Sequence, residues 1–276
     1  MHSAALPRPR RGREMSTVET ALPEALRNGV RDLVLVLADS KRLLGMRYAE
    51  WMLGAPELEA SIACSSMAQD EWGHARLLYA LLRDFGEDVQ HLEHGREAED
   101  YRNIEALDRA PESWPGVVAL NALVDTALTT QLDALRGSSY APLRQRVGKL
   151  LEEERFHGAH AAAWIKRMAR SGPQARAAMA AALQEVLPCV LRWFGPAAPR
   201  TSLAAAGVVD AEGDALRARF IERVRPLFEE LGLTAVVPAP DFNGFDEARR
   251  RCTRTGPDAV TLARVRGDKN RAFLMD

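Results

Sequence analysis

The chain has 276 residues, 47% of them apolar and 27% charged, and its 37 basic and 38 acidic side chains leave a net charge of −1. That balance describes a globular protein of one sizeable domain or two small ones, without the basic bias of a nucleic-acid-binding chain. Cys64, Cys189 and Cys252 are scattered; they form no disulfide framework or zinc ribbon and suit a reducing cytoplasm. No apolar run of membrane-spanning length, about 18 residues, is present.

The first 14 residues are basic and carry two prolines, which reads as a disordered tail over residues 1–24 or a small anion-binding arm, with Met15 an alternative start. Helical periodicity then predicts helix A over roughly 30–53, broken at Gly54-Ala55-Pro56, and helix B from Pro56 to about Phe85. Residues 87–113 are polar and read as a long crossover. Trp114-Pro115 opens helix C, the turn at Gly137–Pro142 ends it, and helix D runs on to Gly172-Pro173. Helix E follows to Phe194, with Pro188 inside it, and a further helix spans about 211–231. The last 40 residues, rich in Pro, Gly and Arg, read as a tail wrapped over the helices. No sustained β-alternation exists, so the fold class is all-α, with residues 25–196 a bundle and 197–276 a C-terminal helix and wrapping tail of the same domain.

Two Glu-x-x-His quartets carry the chemistry: Glu71–His74 in helix B and Glu154–His157 in helix D. Residues i and i+3 share one helix face, so each carboxylate and imidazole can grip one ion. Two such pairs on facing helices, completed by one acid from each of two other helices, form the di-metal site of ferritin-like four-helix bundles. In an antiparallel hairpin, residues equidistant from the turn sit at equal height. That places Asp125 opposite Glu154, in apolar surroundings where a carboxylate needs a partner, either a cation or a local Arg or Thr. The same count over the A–B turn places Asp39 opposite Glu71. Glu50 is about 16 Å from that height and is set aside. Lys41 and Arg42 lie close by, and a cation there competes with a metal for Asp39. Asp70 is placed to accept from a ligand imidazole N–H. His160 lies about 240° around helix D from Glu154 and faces away. His91 and His94 belong to the polar crossover, and Glu153 to an acidic outer face, although its spacing to His157 also makes it a substitute for Glu154. The expected ligands are thus Asp39, Glu71, His74, Asp125, Glu154 and His157. A set of four carboxylates and two imidazoles suits two iron ions, or manganese. Spacing alone leaves oxygenase, oxidase, ferroxidase and manganese protein open.

Gln69–Tyr79, Leu123-Val124-Asp125, Ser139–Pro142 and Glu153–His157 resemble the catalytic subunit of the ring-epoxidising phenylacetyl-CoA oxygenases. Phe194-Gly195-Pro196, Leu216–Phe220 and Gly267–Arg271 are similar to its C-terminal part. Leu37-Ala38-Asp39, Tyr48–Trp51 and Gly54–Glu59 look more like the companion, non-catalytic subunit. The resemblance implies a ferritin-like di-iron oxygenase subunit that acts on an aryl-acyl-CoA with O₂ and electrons from a reductase, in a homo- or hetero-oligomer with a homologous subunit. It implies a basic rim for coenzyme A, with Arg249, Arg250, Arg254, Lys269 and Arg271 as candidates. Alignment on Gly45-Met46 puts Arg42 where the family has the glutamate of helix A, so five ligands carry over and the sixth does not. The alternatives are a non-catalytic scaffold subunit or a stand-alone di-metal oxidase or ferroxidase.

Overall fold

The computed structural model describes residues 22–197, 202–233 and 238–273. The expected N-terminal tail, apart from residues 22–24, lies outside them. The described residues fold as α-helices with no strand, the one β-bridge joining Asp246 to Arg251. None of their helices is long and apolar enough to cross a membrane.

Helix α1 (Glu24–Ala49) and helix α2 (Leu58–Leu81) form one antiparallel hairpin. Gly45 permits their close approach, since a Cβ there would lie 2.7 Å from the Trp72 indole nitrogen. Residues 89–94 form α3 (Val89–His94) within the crossover. The second hairpin begins with α4 (Trp114–Ala119), where Ser113 accepts from Gly116 N and Pro115 sits in the first turn. The helix continues as a π-helical stretch, Leu120–Asp125, and then α5 (Thr126–Asp133). Its partner is α6 (Ala141–Arg170). α7 (Pro173–Trp193) packs along α4 and α6, with Pro188 inside it, and α8 (Gly213–Glu230) packs against α5 and α6.

Helices A to E are therefore where the sequence periodicity puts them, although α1 begins earlier and ends earlier than expected. The core is made by Leu, Val and Ala on the inner stripes, for example Leu37, Leu44, Leu78, Leu123, Leu128, Leu150 and Ile165, all nearly fully buried. The C-terminal segment packs over the crossover. Helix α9 (Ala259–Arg266) contacts α3, and Asp258 N donates to Asp108 O at 2.9 Å. Arg249 and Arg251 bind this layer together: Arg249 donates to the Tyr101 and Thr255 carbonyls, and Arg251 pairs with Asp108.

Candidate metal centre and its resident lysine

Each helix of the two hairpins delivers one or two charged groups to a single buried point. α2 brings Glu71 and His74, the π-helical stretch brings Asp125, and α6 brings Glu154 and His157, all at most 3% exposed. Glu71, Asp125, Glu154 and His157 offer ligand atoms within 4.8 Å of one another, a grouping that could hold a metal ion. The π-helical register, one residue wider per turn than α, ends at Asp125.

From α1 comes a cation. Lys41 is fully buried, and its Nζ lies 2.8 Å from Glu71 Oε1, 3.0 Å from Asp125 Oδ1 and 2.5 Å from Glu154 Oε1. Three hydrogens on one ammonium meet three carboxylates, which satisfies the donor inventory of the lysine. Burial opposes the charge on Lys41, but Asp125, Glu154 and Glu71 outweigh it and hold its pKa well above the ordinary value. Burial likewise pushes Glu71 up, and Lys41 together with the hydrogen bonds of His157 and His74 outweighs this, bringing it down to about 2. Glu154 is pushed up to about 7 by burial and by the charge of Asp125, against the pull of Lys41.

The imidazoles are oriented as ligands would be. His157 Nδ1 faces inward, 2.9 Å from Asp125 Oδ2, while its Nε2 lies 3.4 Å from Asp70 Oδ2 at the rim. His74 Nδ1 also faces inward, 3.1 Å from Glu154 Oε1, and its Nε2 lies 2.7 Å from Glu153 Oε2. A carboxylate on the outer nitrogen fixes ring orientation in metal-ligating histidines. Burial disfavours charge on both rings, yet the facing carboxylates raise His74 to about 10 and His157 to about 11. Tyr48 and Asn121 close the site: Tyr48 Oη donates to Asp125 Oδ2 at 2.9 Å, and Asn121 Nδ2 lies 3.1 Å from the same hydroxyl. Thr129 donates to Glu154 Oε2 at 2.9 Å.

Five of the six expected ligands thus converge, and Asp39 does not. Asp39 is fully buried on the opposite face of α1, where it accepts from Arg96 Nη1 and Nη2 at 2.9 and 2.5 Å, from Tyr79 Oη at 2.5 Å and from Arg102 N at 2.8 Å. Positions 39 and 41 differ by about 200° around the helix, so only one of them can face the cluster. Equal height from the turn is a weaker constraint than helical phase, and phase selects Lys41. The competing cation for Asp39 is Arg96 of the crossover rather than Lys41 or Arg42. Arg42 does not occupy the helix-A place either; it reaches the Val265 carbonyl at 2.9 Å and lies over the Tyr79 ring. Lys41 is the residue that sequence reasoning missed. The signal available was its helix face, where Val34, Leu37, Leu44 and Tyr48 stand at i−7, i−4, i+3 and i+7 from Lys41.

With Lys41 so placed, the residues do not fit a pair of metal ions. Its ammonium holds the position between three carboxylates that a shared cation would take, and helix α1 supplies positive charge where a sixth ligand would be needed.

Glu50 and His160, set aside from the sequence, lie outside this cluster. Glu50 pairs with Arg47 and Arg264. His160 Nδ1 lies 3.0 Å from Asn121 Oδ1, and burial together with the charge of His157 lowers its pKa to about 4. Two of the tail residues expected to rim a coenzyme A site hold internal contacts. Arg249 serves the loop carbonyls, and Arg250 donates to Gln131 Oε1 at 2.8 Å and lies over the Trp193 ring. Arg254 and Lys269 are exposed, and the Arg271 side chain lies outside the described residues. Arg250 also borders a cavity of about 660 Å³ beside α1, with Leu33, Val36, Phe194 and Phe245 in its wall.

The family model described as "Phenylacetic acid catabolic protein" matches residues 15–253. The chain is 27% identical over 233 residues to one of the subunits of 1,2-phenylacetyl-CoA epoxidase from Escherichia coli (strain K12), covering 82% of this chain and 73% of that protein. It is also 27% identical over 146 residues to a different subunit of the same enzyme, covering 51% of this chain and 58% of the relative. The chain belongs to the phenylacetic acid catabolic protein family.

Proposed function

We propose that this chain is a non-catalytic subunit of a phenylacetyl-CoA-epoxidase-type oxygenase complex, and that a homologous chain carries the metal centre. The observation that carries the reading is Lys41, whose ammonium is bound by Glu71, Asp125 and Glu154 in the place a metal would need. Its likeness to two different subunits of one enzyme supports a role inside an assembly of several chains. In that assembly the homologue would act on an aryl-acyl-CoA with O₂ and electrons from a reductase, in the cytoplasm. Our chain would contribute a rigid, metal-independent bundle to pair with it.

A second reading is favoured by the five retained metal-type donors: that this chain is itself the oxygenase. It requires Lys41 to leave a site in which it makes three ion pairs. When bound there, two iron ions would supply O₂ activation, with Glu71, His74, Asp125, Glu154 and His157 to hold them.

Purification with iron present, alone and co-expressed with the metal-binding homologue, separates the two. The non-catalytic reading predicts folded protein without stoichiometric iron, and co-purification with the homologue. Two irons per chain in the isolated wild type, together with turnover of phenylacetyl-CoA, would overturn it.

A further inference from the structure

The arrangement around Lys41 keeps an atom that its ion pairs do not use. Glu71 Oε2 is buried without a hydrogen-bond partner. It belongs to the quartet of α2 and is a metal-ligand atom, as is the neighbouring His74 Nδ1, which faces Glu154 Oε1 at 3.1 Å. Buried polar atoms without partners are costly and rare. A site reshaped wholly around a lysine would have no reason to keep one. Nor would it keep both imidazoles with Nδ1 turned inward and Nε2 held by a rim carboxylate, as His74 is by Glu153 and His157 by Asp70.

We infer that the core holds a latent metal site closed by one side chain, Lys41, and that exchanging this residue for glutamate opens the site to divalent metal. The inference rests on the reading of Lys41 as a replacement cation. It adds that the other five donors remain set for a transition metal of the iron or manganese type, which carboxylate and imidazole ligands suit. A glutamate at position 41 would start from the same Cα on the same face of α1, and a carboxylate there completes the four-acid, two-histidine set.

The test compares wild type, Lys41→Glu and Lys41→Ala by titration with cobalt(II), read by its visible d–d absorption, and by thermal melting with and without manganese(II). Lys41→Glu is expected to bind cobalt in a coordinated spectrum and to lose that spectrum when Glu71→Ala or His157→Ala is added. Wild type is expected to show only the aquo ion. Lys41→Ala keeps the test open should the glutamate variant fail to fold. Its three unpaired carboxylates should give a melting temperature that rises with manganese(II), because a ligand bound only by the folded state stabilises it, whereas the wild-type value stays unchanged. A folded Lys41→Glu protein that binds no cobalt, or a Lys41→Ala protein indifferent to manganese, would overturn the inference. Either result leaves the non-catalytic reading standing, since that depends on the wild type alone. Cobalt bound at this centre by the wild type would instead overturn both.

Discussion

Helix α1 carries two buried charges two residues apart, and they are solved in opposite ways. Asp39 faces the crossover and is neutralised by one guanidinium, with Tyr79 and the Arg102 amide taking its remaining lone pairs. Lys41 faces the bundle axis and is held by three carboxylates that come from three other helical segments. The Asp39 cluster fastens a loop to the bundle, and the Lys41 cluster fastens the bundle to itself. A buried carboxylate beside a metal-type motif is therefore no evidence of ligation until the helical phase says which face it occupies.

The largest expected effect comes from removing the central cation. Lys41→Met leaves three carboxylates around an apolar chain and should cost about 5 kcal/mol, the upper end for breaking a buried charge pair, read by chemical denaturation. A loss under about 1 kcal/mol would mean that the cluster does not hold the helices together. Asp39→Asn removes the carboxylate paired with the buried Arg96 and should cost about 3 kcal/mol. It should loosen amide-exchange protection in the 96–102 segment, while a cobalt titration of the Lys41→Glu background stays unchanged. A changed titration would tie Asp39 to the metal after all.

The two faces of α1 also mark how far sequence reasoning reaches. The helices, both hairpins and the convergence of Glu71, His74, Asp125, Glu154 and His157 were legible, because apolar periodicity and i,i+3 spacing report faces directly. Asp125 was found by counting from the turn although a π-helical stretch precedes it, since the widened register ends on that residue. The same count failed at Asp39. Over a long lever arm from an irregular turn, residues 50–57, an error of two positions reverses the helix face. Arg96 was beyond reach because it comes from a crossover whose path over α1 leaves no periodic trace. Glu153, read as an outer-face acid, proves to be the carboxylate on His74 Nε2, a role that spacing alone does not separate from a solvated one.

A smaller effect should appear with pH at His160, which lies at the edge of the Lys41 cluster and has no counterpart at Asp39. Its folded pKa is about 4, against an ordinary 6.5, through burial and the nearby charge of His157. The unfolded chain therefore gains a proton on the way down from pH 6.5 while the folded chain does not, so stability falls over that window by about 2 kcal/mol after allowance for partial exposure. His160→Gln should flatten that part of the stability–pH curve, and an unchanged slope would contradict the assignment. Least sensitive should be Arg264→Gln, which breaks only the half-exposed Arg264–Glu50 pair and leaves Arg47 on Glu50, and it should shift stability by about 1 kcal/mol or less. A larger shift would show that this rim, and not the axis, carries the charge network.

The central claim is that Lys41, not metal, is the cation at the bundle axis. Its most direct test is an anomalous difference map, recorded at the iron edge, from wild-type crystals grown after anaerobic iron(II) loading. Our account predicts no anomalous peak among Glu71, Asp125, Glu154 and His157, and Lys41 Nζ in hydrogen-bond contact with the three carboxylates. One or two iron peaks there, with Lys41 swung aside, would contradict it.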